Sequence, residues 1–206
     1  MSTQTRGTAR VYHVILRSAG RKPLFTDNCD RSVFVGLVKR YFVDHGIGLA
    51  AWCLLDDSVH LLLCAENSRI REALDEVTTI YVGYYTRRTG RKGALFQRRF
   101  PTEPVTTEGQ LREAVRNIHL KPYNCGISRG VPYRWSSYET YLSARPPQAV
   151  GWALGVFGGR KSFLVYHHIE SAGASLDTPA LLRSDRGADD YDRRMISATS
   201  SATLAA

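Results

Sequence analysis

The stretch LLDDSVHLLL, residues 54–63, contains a turn followed by a strand, and the rest of the chain is interpreted outward from it. Asp56 and Asp57 favour the turn, because aspartate side chains bond readily to the backbone of tight turns. Ser58 and His60 then fall on one face of the strand, since successive strand side chains alternate between faces. Two imidazoles at that spacing can share one divalent metal ion, which can polarise a phosphate. Serine occupies the first position here, so the sequence predicts only half of such a site.

The turn and strand belong to a predicted order of β-α-β-β-α-β followed by a further helix. β-Branched and aromatic residues predict the strands, and apolar residues at three- and four-residue spacing predict the helices. Pro101 and Pro104 place the last strand at a sheet edge, because proline removes ladder donors. This order predicts an α+β, ferredoxin-like antiparallel sheet backed by helices, which hosts enzymes and RNA-binding proteins alike. The predicted strands cover residues 11–16, 49–55, 59–65 and 100–105.

Capping residues predict where the helices begin and end. Asp27 is a candidate N-cap for a helix that runs to about His45, and Ser68 is a candidate cap for the second helix. Thr107 and Gln110 have the spacing of a capping box at the start of the third helix. The segment Lys-Pro-Tyr-Asn at 121–124 is predicted to stop that helix near residue 120, because proline lacks an amide donor.

Three regions are expected along the chain. Residues 1–142 form the main domain. Short helical patches near 152–157 and 163–169 predict a helical C-terminal extension, residues 143–173. Residues 174–206 lose periodicity and are expected to be mostly irregular or disordered.

Composition limits the class of protein. Hydrophobic content of 43% and charged content of 23% are typical of a globular chain. No apolar run approaches the roughly 20 residues needed to cross a bilayer, so no membrane partner is expected. The N-terminus lacks the apolar core of a signal peptide, and we expect a cytoplasmic location. The four cysteines lie far apart without a C-x-x-C pair, which argues against a zinc site.

The positive charge is concentrated in one part of the chain. The formal net charge is +9, and residues 81–134 hold eleven Lys or Arg against three Glu. A concentrated basic stripe is typical of proteins that bind a polyanion, although a solvated charged surface is the alternative. Interleaved aromatics that can stack on bases favour nucleic acid. They are Tyr81, Tyr84, Tyr85, Phe96 and Phe100.

Five segments occur in one order and spacing over roughly residues 10–142. They are YHVILR (12–17), LDDSVHLLL (55–63), GALFQRRF (93–100), IHLKP (118–122) and WSSY (135–138). Together they resemble the REP-associated tyrosine transposases, a branch of the HUH single-strand nucleases related to IS200-like transposases. Residues 154–173 are similar to the C-terminal extension of the longer members.

The resemblance implies a reaction. Members of the family hold a divalent metal between two histidines separated by one hydrophobic residue, against single-stranded DNA. A tyrosine on the third helix attacks the phosphate and leaves a 5′-phosphotyrosine link, so that strands can later be rejoined. A polar residue further along that helix completes the metal shell.

Each of these chemical positions differs in this chain. The first metal histidine falls on Ser58 and leaves only His60. The tyrosine falls on Asn117, whose amide cannot attack a phosphate. The metal-side residue, usually asparagine, falls on Lys121, whose ammonium repels a divalent cation. The resemblance therefore implies a catalytically impaired relative with no assured catalytic or metal-binding residue.

Substitute groups keep an active enzyme as an alternative. Asp56 and His60 are weak candidates for a magnesium or manganese site, and such an ion is expected only if activity is retained. Tyr123 is a candidate substitute nucleophile. His119 is expected to pack or to form hydrogen bonds near the sheet. The neighbours His167 and His168 cannot face one way on a helix, so no metal role is expected for them.

The residues expected to bind nucleic acid lie mostly in a basic, glycine-punctuated loop that can follow a phosphate backbone. Phe96 is expected either to stack on a base or to pack beneath the loop. Lys121 is expected to replace the charge of the missing metal against a phosphate. The predicted contacts are Arg87, Arg88, Arg91, Lys92, Phe96, Arg98, Arg99, Arg116 and Lys121.

The leading hypothesis is a transposase-like protein that recognises single-stranded or hairpin DNA, as a monomer or homodimer, without efficient nicking. One alternative is an active single-strand DNA transposase or nickase with a remodelled metal site. Another is an RNA-binding or protein-partner module of the same topology, which the sheet permits.

Overall fold

The computed structural model describes residues 10–20 and 22–167, and its four strands and first three helices follow the predicted order, β-α-β-β-α-β and a further helix. The strands are β1 (Arg10–Arg17), β2 (Gly48–Leu54), β3 (Ser58–Ala65) and β4 (Thr102–Val105). The longer helices are α1 (Asn28–Asp44), α2 (Asn67–Thr89) and α3 (Glu108–Asn124). Three shorter helices follow: α4 (Tyr138–Leu142), α5 (Gln148–Val156) and α6 (Arg160–His167).

The strands form one antiparallel sheet in the order β2-β3-β1-β4. This is the ferredoxin-like arrangement, so the predicted α+β fold class is confirmed. β1 and β3 lie at the centre, with Ile15 opposite His60 and Arg17 opposite Ser58. β4 is a four-residue edge strand that contains Pro104, as the prolines predict.

Helices cover both faces of the sheet. α1 and α2 pack on one face, where alternate residues of β1 and β3, among them Val14 and Leu61, are buried. α3 to α6 pack on the opposite face, against Cys53 of β2 and Leu62 of β3. Because strand side chains alternate, His13 of β1 and His60 of β3 lie on this second face.

Two predicted caps are confirmed. The Asp27 carboxylate accepts the backbone N–H groups of Cys29 and Asp30, and α1 ends at the C-cap His45. Thr107 and Gln110 form the complete capping box of α3. Each satisfies amide donors that the first helical turn leaves open.

Two boundary predictions are wrong. α2 begins at Asn67 with Glu66 as its N-cap, so Ser68 lies inside the helix. α3 continues through Pro122 to Asn124, and the backbone N–H of Cys125 donates to the Lys121 carbonyl. Pro122 stands so near the end of α3 that only its last turn must adjust to the missing amide donor.

The C-terminal helices join the core of the second face. α5 and α6 fall near the two predicted patches, whereas the short α4 was not predicted. Tyr141, Val150 and Phe163 are buried with Leu62 of β3 and Ile118 of α3. Residues 168–173 of the expected extension, and the expected tail at 174–206, lie outside the described residues.

A search of the described helices finds none with the length and apolar character needed to cross a bilayer.

Candidate nucleic-acid interface

His60 lies against a second histidine that the sequence analysis did not select. His13 Nε2 and His60 Nδ1 are 3.2 Å apart, and the two rings stack with centroids 5.4 Å apart. His60 on β3 is 2% exposed, whereas His13 on the neighbouring strand β1 is half-buried. The pairing follows from the register, because His13 stands two residues before Ile15, the partner of His60.

Both imidazoles are neutral bases near positive charges. Burial, together with the charges of Lys121 and Arg17, lowers the pKa of His13 to about 4. Burial, Lys121, His13 and Arg17 together hold the pKa of His60 well below its usual value. The two neutral rings therefore lie next to two charged groups, the Lys121 ammonium and the Arg17 guanidinium.

The face of α3 toward the sheet contains the other two family positions. Asn117 and Lys121 are four residues apart, so they lie on one side of the helix. Lys121 is 9% exposed, and Asn117 is partly exposed one turn earlier. Tyr123 is 42% exposed, and its position two residues after Lys121 directs it away from the sheet.

The residues around His60 do not fit a divalent metal ion. Asp56, the carboxylate named from the sequence, forms an ion pair with Arg31 at the turn. Ser58 donates its hydroxyl to Asp57 Oδ1 over 2.9 Å. The Lys121 charge acts on both imidazoles and opposes a second cation there. Within residues 10–20 and 22–167, no three His, Cys, Asp or Glu side chains are grouped closely enough to hold a metal.

The basic loop lies at the same end of the sheet as this centre. Residues 95–97 continue the sheet beside the end of β1, because Ala19 N–H donates to the Leu95 carbonyl and Gln97 N–H to the Arg17 carbonyl. Arg98 and Arg99 follow directly and are exposed. The cations of this loop therefore lie close to Arg17 and Ser58, which face each other across β1 and β3.

We call the exposed cations at this end of the sheet the basic loop surface. Arg91 extends it, since its guanidinium donates to the Tyr85 hydroxyl, which in turn donates to the Pro23 carbonyl. This contact ties the end of α2 to the loop after β1. The basic loop surface consists of Arg87, Arg91, Lys92, Arg98 and Arg99.

Two of the predicted nucleic-acid contacts, Arg88 and Arg116, form contacts within the protein, and a third, Lys121, is buried. Arg88 forms ion pairs with Asp27 and with the fully buried Asp30, which joins the start of α1 to the end of α2. Arg116 donates to the Tyr166 carbonyl and lies over the Tyr166 ring. Lys121 is buried beside the two histidines.

The aromatics that favoured base stacking belong to the core. Phe96 is 8% exposed and contacts Phe34, Tyr81 and Phe100, which is the packing role of the two predicted for it. Tyr81 is fully buried, and its hydroxyl donates to the Leu24 carbonyl. These rings shape the loops and leave the cations at the surface.

A second histidine pair lies deeper in the same half of the molecule. His119 Nδ1 and His167 Nε2 are 3.2 Å apart, and both residues are at most 1% exposed. Burial lowers the pKa of His167 to about 4 and that of His119 well below its usual value. This confirms the expectation that His119 forms hydrogen bonds near the sheet.

The proton positions of this pair follow from its neighbours. The Phe163 carbonyl can only accept, so His167 Nδ1 carries a proton and donates over 2.9 Å. His167 Nε2 then accepts from His119 Nδ1–H, and His119 Nε2 accepts from the Ser137 hydroxyl over 2.8 Å. Ser137 Oγ accepts the Trp52 N–H over 2.9 Å. One directed chain thus joins β2 to α6.

His13 and Arg17 are the site residues that sequence reasoning missed. The signal was present in the alternation of YHVILR (12–17), which puts His13 and Arg17 on the face away from the first core. The register between β1 and β3, which brings them to His60 and Ser58, could not be deduced from that pattern.

Comparison with known proteins agrees with this fold. No protein-family model and no curated protein matches the sequence. A solved structure of a REP-associated tyrosine transposase bound to a REP hairpin is similar with a TM-score of 0.53 and 18% identity, over 86% of this chain and all of that one. A protein from Deinococcus radiodurans R1 classed as a transposase matches with a TM-score of 0.42 and 19% identity, over 58% of this chain and 98% of that one. This chain therefore has the fold of a REP-associated tyrosine transposase, as the resemblance in its sequence predicts.

Proposed function

We propose that this protein binds single-stranded or hairpin DNA through the basic loop surface and does not cleave it. The observation that carries the proposal is the composition of the centre beside that surface. Ser58, Asn117 and Lys121 stand where the resembled family has its metal ligands and its tyrosine. Binding groups are present while the groups for phosphoryl transfer are replaced.

The binding half of the proposal rests on charge and position. Five exposed cations form the basic loop surface, and Arg17 lies next to it at the end of β1. Each lysine or arginine that neutralises a phosphate releases counterions and adds affinity that falls with salt. The structural neighbour was solved with a REP hairpin, which makes a hairpin the first ligand to test.

The loss of cleavage rests on chemistry. The Asn117 amide is not a nucleophile, and the Lys121 ammonium can donate hydrogen bonds but cannot ligate a metal while it is charged. The substitutes named from the sequence are poorly placed in this fold. Asp56 is ion-paired with Arg31, and Tyr123 points away from the face that contains Lys121.

Fluorescence anisotropy tests the binding with the full chain and four ligands of one sequence. They are a hairpin with a single-stranded foot, an unpaired strand, a duplex and the unpaired strand as RNA. We expect the hairpin and the unpaired DNA strand to bind most tightly, with affinity that falls linearly in log–log form as salt rises. Equal binding to all four, or tighter binding to RNA, would contradict the proposal.

A matched pair of double variants locates the surface. Arg98→Ala with Arg99→Ala should weaken hairpin binding by about tenfold or more and reduce the salt slope by about two. Arg40→Ala with Arg71→Ala removes two exposed cations at the far end of the sheet and should leave both quantities nearly unchanged. Equal effects of the two double variants would mean that the loops are not the binding surface.

Cleavage is tested separately. Labelled single strands incubated with the full chain and manganese should yield neither shorter strands nor a protein–DNA adduct. A covalent adduct that disappears in Tyr123→Phe would establish the remodelled enzyme in place of the binding protein.

A further inference from the structure

We propose that the centre formed by His13, Arg17, His60 and Lys121 is a phosphate-binding pocket that works without a metal ion, with the Lys121 ammonium as its fixed charge. The inference rests on the proposed function only for the identity of the ligand, a phosphate of bound DNA. The pocket itself is argued from burial, charge and hydrogen-bonding capacity.

Burial differs across the centre. Ser58, His60 and Lys121 are 7%, 2% and 9% exposed. His13 and Arg17 on β1 are only partly buried, so solvent reaches the centre mainly at these two residues. We expect an anion to approach on the side of β1.

The electrostatic field at the centre is positive. Lys121 and Arg17 both lower the affinity of the His13 and His60 rings for a proton, which means that both cations lie within interaction range of both rings. The same charges that oppose protonation of an imidazole also oppose a divalent cation and attract an anion. The residues present at this centre therefore favour an anion, whereas the corresponding centre of the resembled family binds a metal cation.

The hydrogen-bonding groups suit phosphate oxygens, which only accept. A lysine ammonium has three donors and an arginine guanidinium has five, so a contact with one protein neighbour leaves further donors for a phosphate. The neutral histidine pair has two N–H groups, and one of them is used between His13 Nε2 and His60 Nδ1. The other is directed out of the pair, on His13 or on His60 according to the tautomer. Hydrogen bonds from charged donors to phosphate are about twice as strong as neutral ones.

The position of the centre connects it to the basic loop surface. The Arg17 carbonyl accepts from Gln97 N–H over 2.9 Å, and Arg98 is the next residue. A strand whose backbone lies along Arg98 and Arg99 therefore passes the opening beside Arg17. One of its phosphates is expected to enter the pocket.

Inorganic phosphate probes the pocket without any DNA. In the full chain at pH 7.5, with a chelator present, phosphate should shift the NMR signals of the His13 and His60 side chains and leave those of His119 and His167 in place. The two buried residues serve as an internal control, since they lie on the closed hydrogen-bond chain. Absence of the His13 and His60 shifts would overturn the proposal.

Two substitutions then test the fixed charge. Lys121→Met keeps a long apolar side chain in the buried position, and it should abolish the phosphate-induced shifts, weaken hairpin binding several-fold and reduce the salt slope by about one. Lys121→Arg should keep the shifts and most of the affinity. Hairpin binding that is identical in Lys121→Met, or that requires added manganese in the parent protein, would overturn the pocket.

The two proposals fail in different ways. If phosphate shifts the His13 and His60 signals but no oligonucleotide binds, the pocket stands and DNA binding is wrong. If the hairpin binds through Arg98 and Arg99 with no response at the histidines, DNA binding stands and the pocket is wrong.

Discussion

The molecule contains two histidine pairs with the same nitrogen–nitrogen distance and different surroundings. His13–His60 and His119–His167 are both 3.2 Å apart and neutral. The first pair lies beside two cations at an open end of the sheet. The second is enclosed by Tyr138, Phe163 and other aromatic rings, with its outer nitrogens bonded on both sides.

The difference teaches that the distance between two imidazoles does not define their role. The remaining nitrogens of each ring decide it. In the buried pair, Ser137 and the Phe163 carbonyl bond to them, so this pair joins β2 to α6. In the pair formed by His13 and His60, the neighbouring charges of Lys121 and Arg17 set the electrostatic surroundings of the rings.

Disruption of the enclosed pair should have the largest effect on the free energy of unfolding. His119→Ala would leave a cavity and deprive both Ser137 and His167 of a partner, and it should lower the free energy of unfolding by roughly 3–5 kcal/mol. His13→Ala at the half-buried position is the matched control and should cost about 1 kcal/mol. Urea denaturation measures both, and equal losses would erase the distinction between the pairs.

Acid should destabilise the fold through these histidines. The pKa of His167 is about 4 in the folded chain and 6.5 in an ordinary setting, so the unfolded chain takes up a proton first as the pH falls. Stability is therefore complete above pH 6.5 and declines toward pH 4, by at most roughly 3 kcal/mol for this group. His13, with the same direction and a pKa of about 4, adds to the decline.

Unfolding free energies measured at steps from pH 7.5 to pH 3.5 check the acid effect. His167→Gln should remove one part of the decline and His13→Gln another. A stability that rises on acidification over this range would show that the histidines are not held neutral by the fold.

Ser137, next to the enclosed pair, should contribute more to the free energy of unfolding than Ser58, next to the pair at the sheet end. Ser137→Ala removes the donor to His119 Nε2 and the acceptor of the Trp52 N–H, and it should cost roughly 1–3 kcal/mol. Thermal denaturation gives the comparison with the parent protein. A neutral result would mean that the chain through His119 contributes nothing beyond packing.

Ser58→Ala should have the smallest effect. The Ser58 hydroxyl bonds only to the exposed Asp57 among the partners found in the described residues, so its loss should cost about 0.5 kcal/mol or less. Hairpin affinity in the same variant reports on whether Ser58 also touches the ligand. A large loss of stability there would place Ser58 in the structural group with Ser137.

Local sequence rules predicted the fold well where a side chain acts on its own backbone. Asp27 and the pair Thr107 and Gln110 define helix starts because their bonds reach only two or three residues along the chain. The prediction that Pro122 stops α3 was wrong, because a proline near the end of a helix affects only the last turn.

The candidate site was predictable only in part, because it depends on contacts between distant segments. Ser58 and His60 were visible in one strand, but His13 joins them through the register of β1 and β3. Arg88 was counted among the surface cations, and its partners Asp27 and Asp30 lie about sixty residues earlier. Charge counting along a sequence cannot separate a helix-joining arginine from a ligand-binding one.

The closure of the sheet edges has a consequence for self-association. The outer side of β2 is occupied by the segment before α4, since Leu54 N–H donates to the Trp135 carbonyl and Ser137 N–H to the Trp52 carbonyl. The other edge, β4, is short and contains Pro104. Among residues 10–20 and 22–167, neither edge presents a long row of open amides, so we expect little intermolecular strand pairing or fibril growth along this sheet.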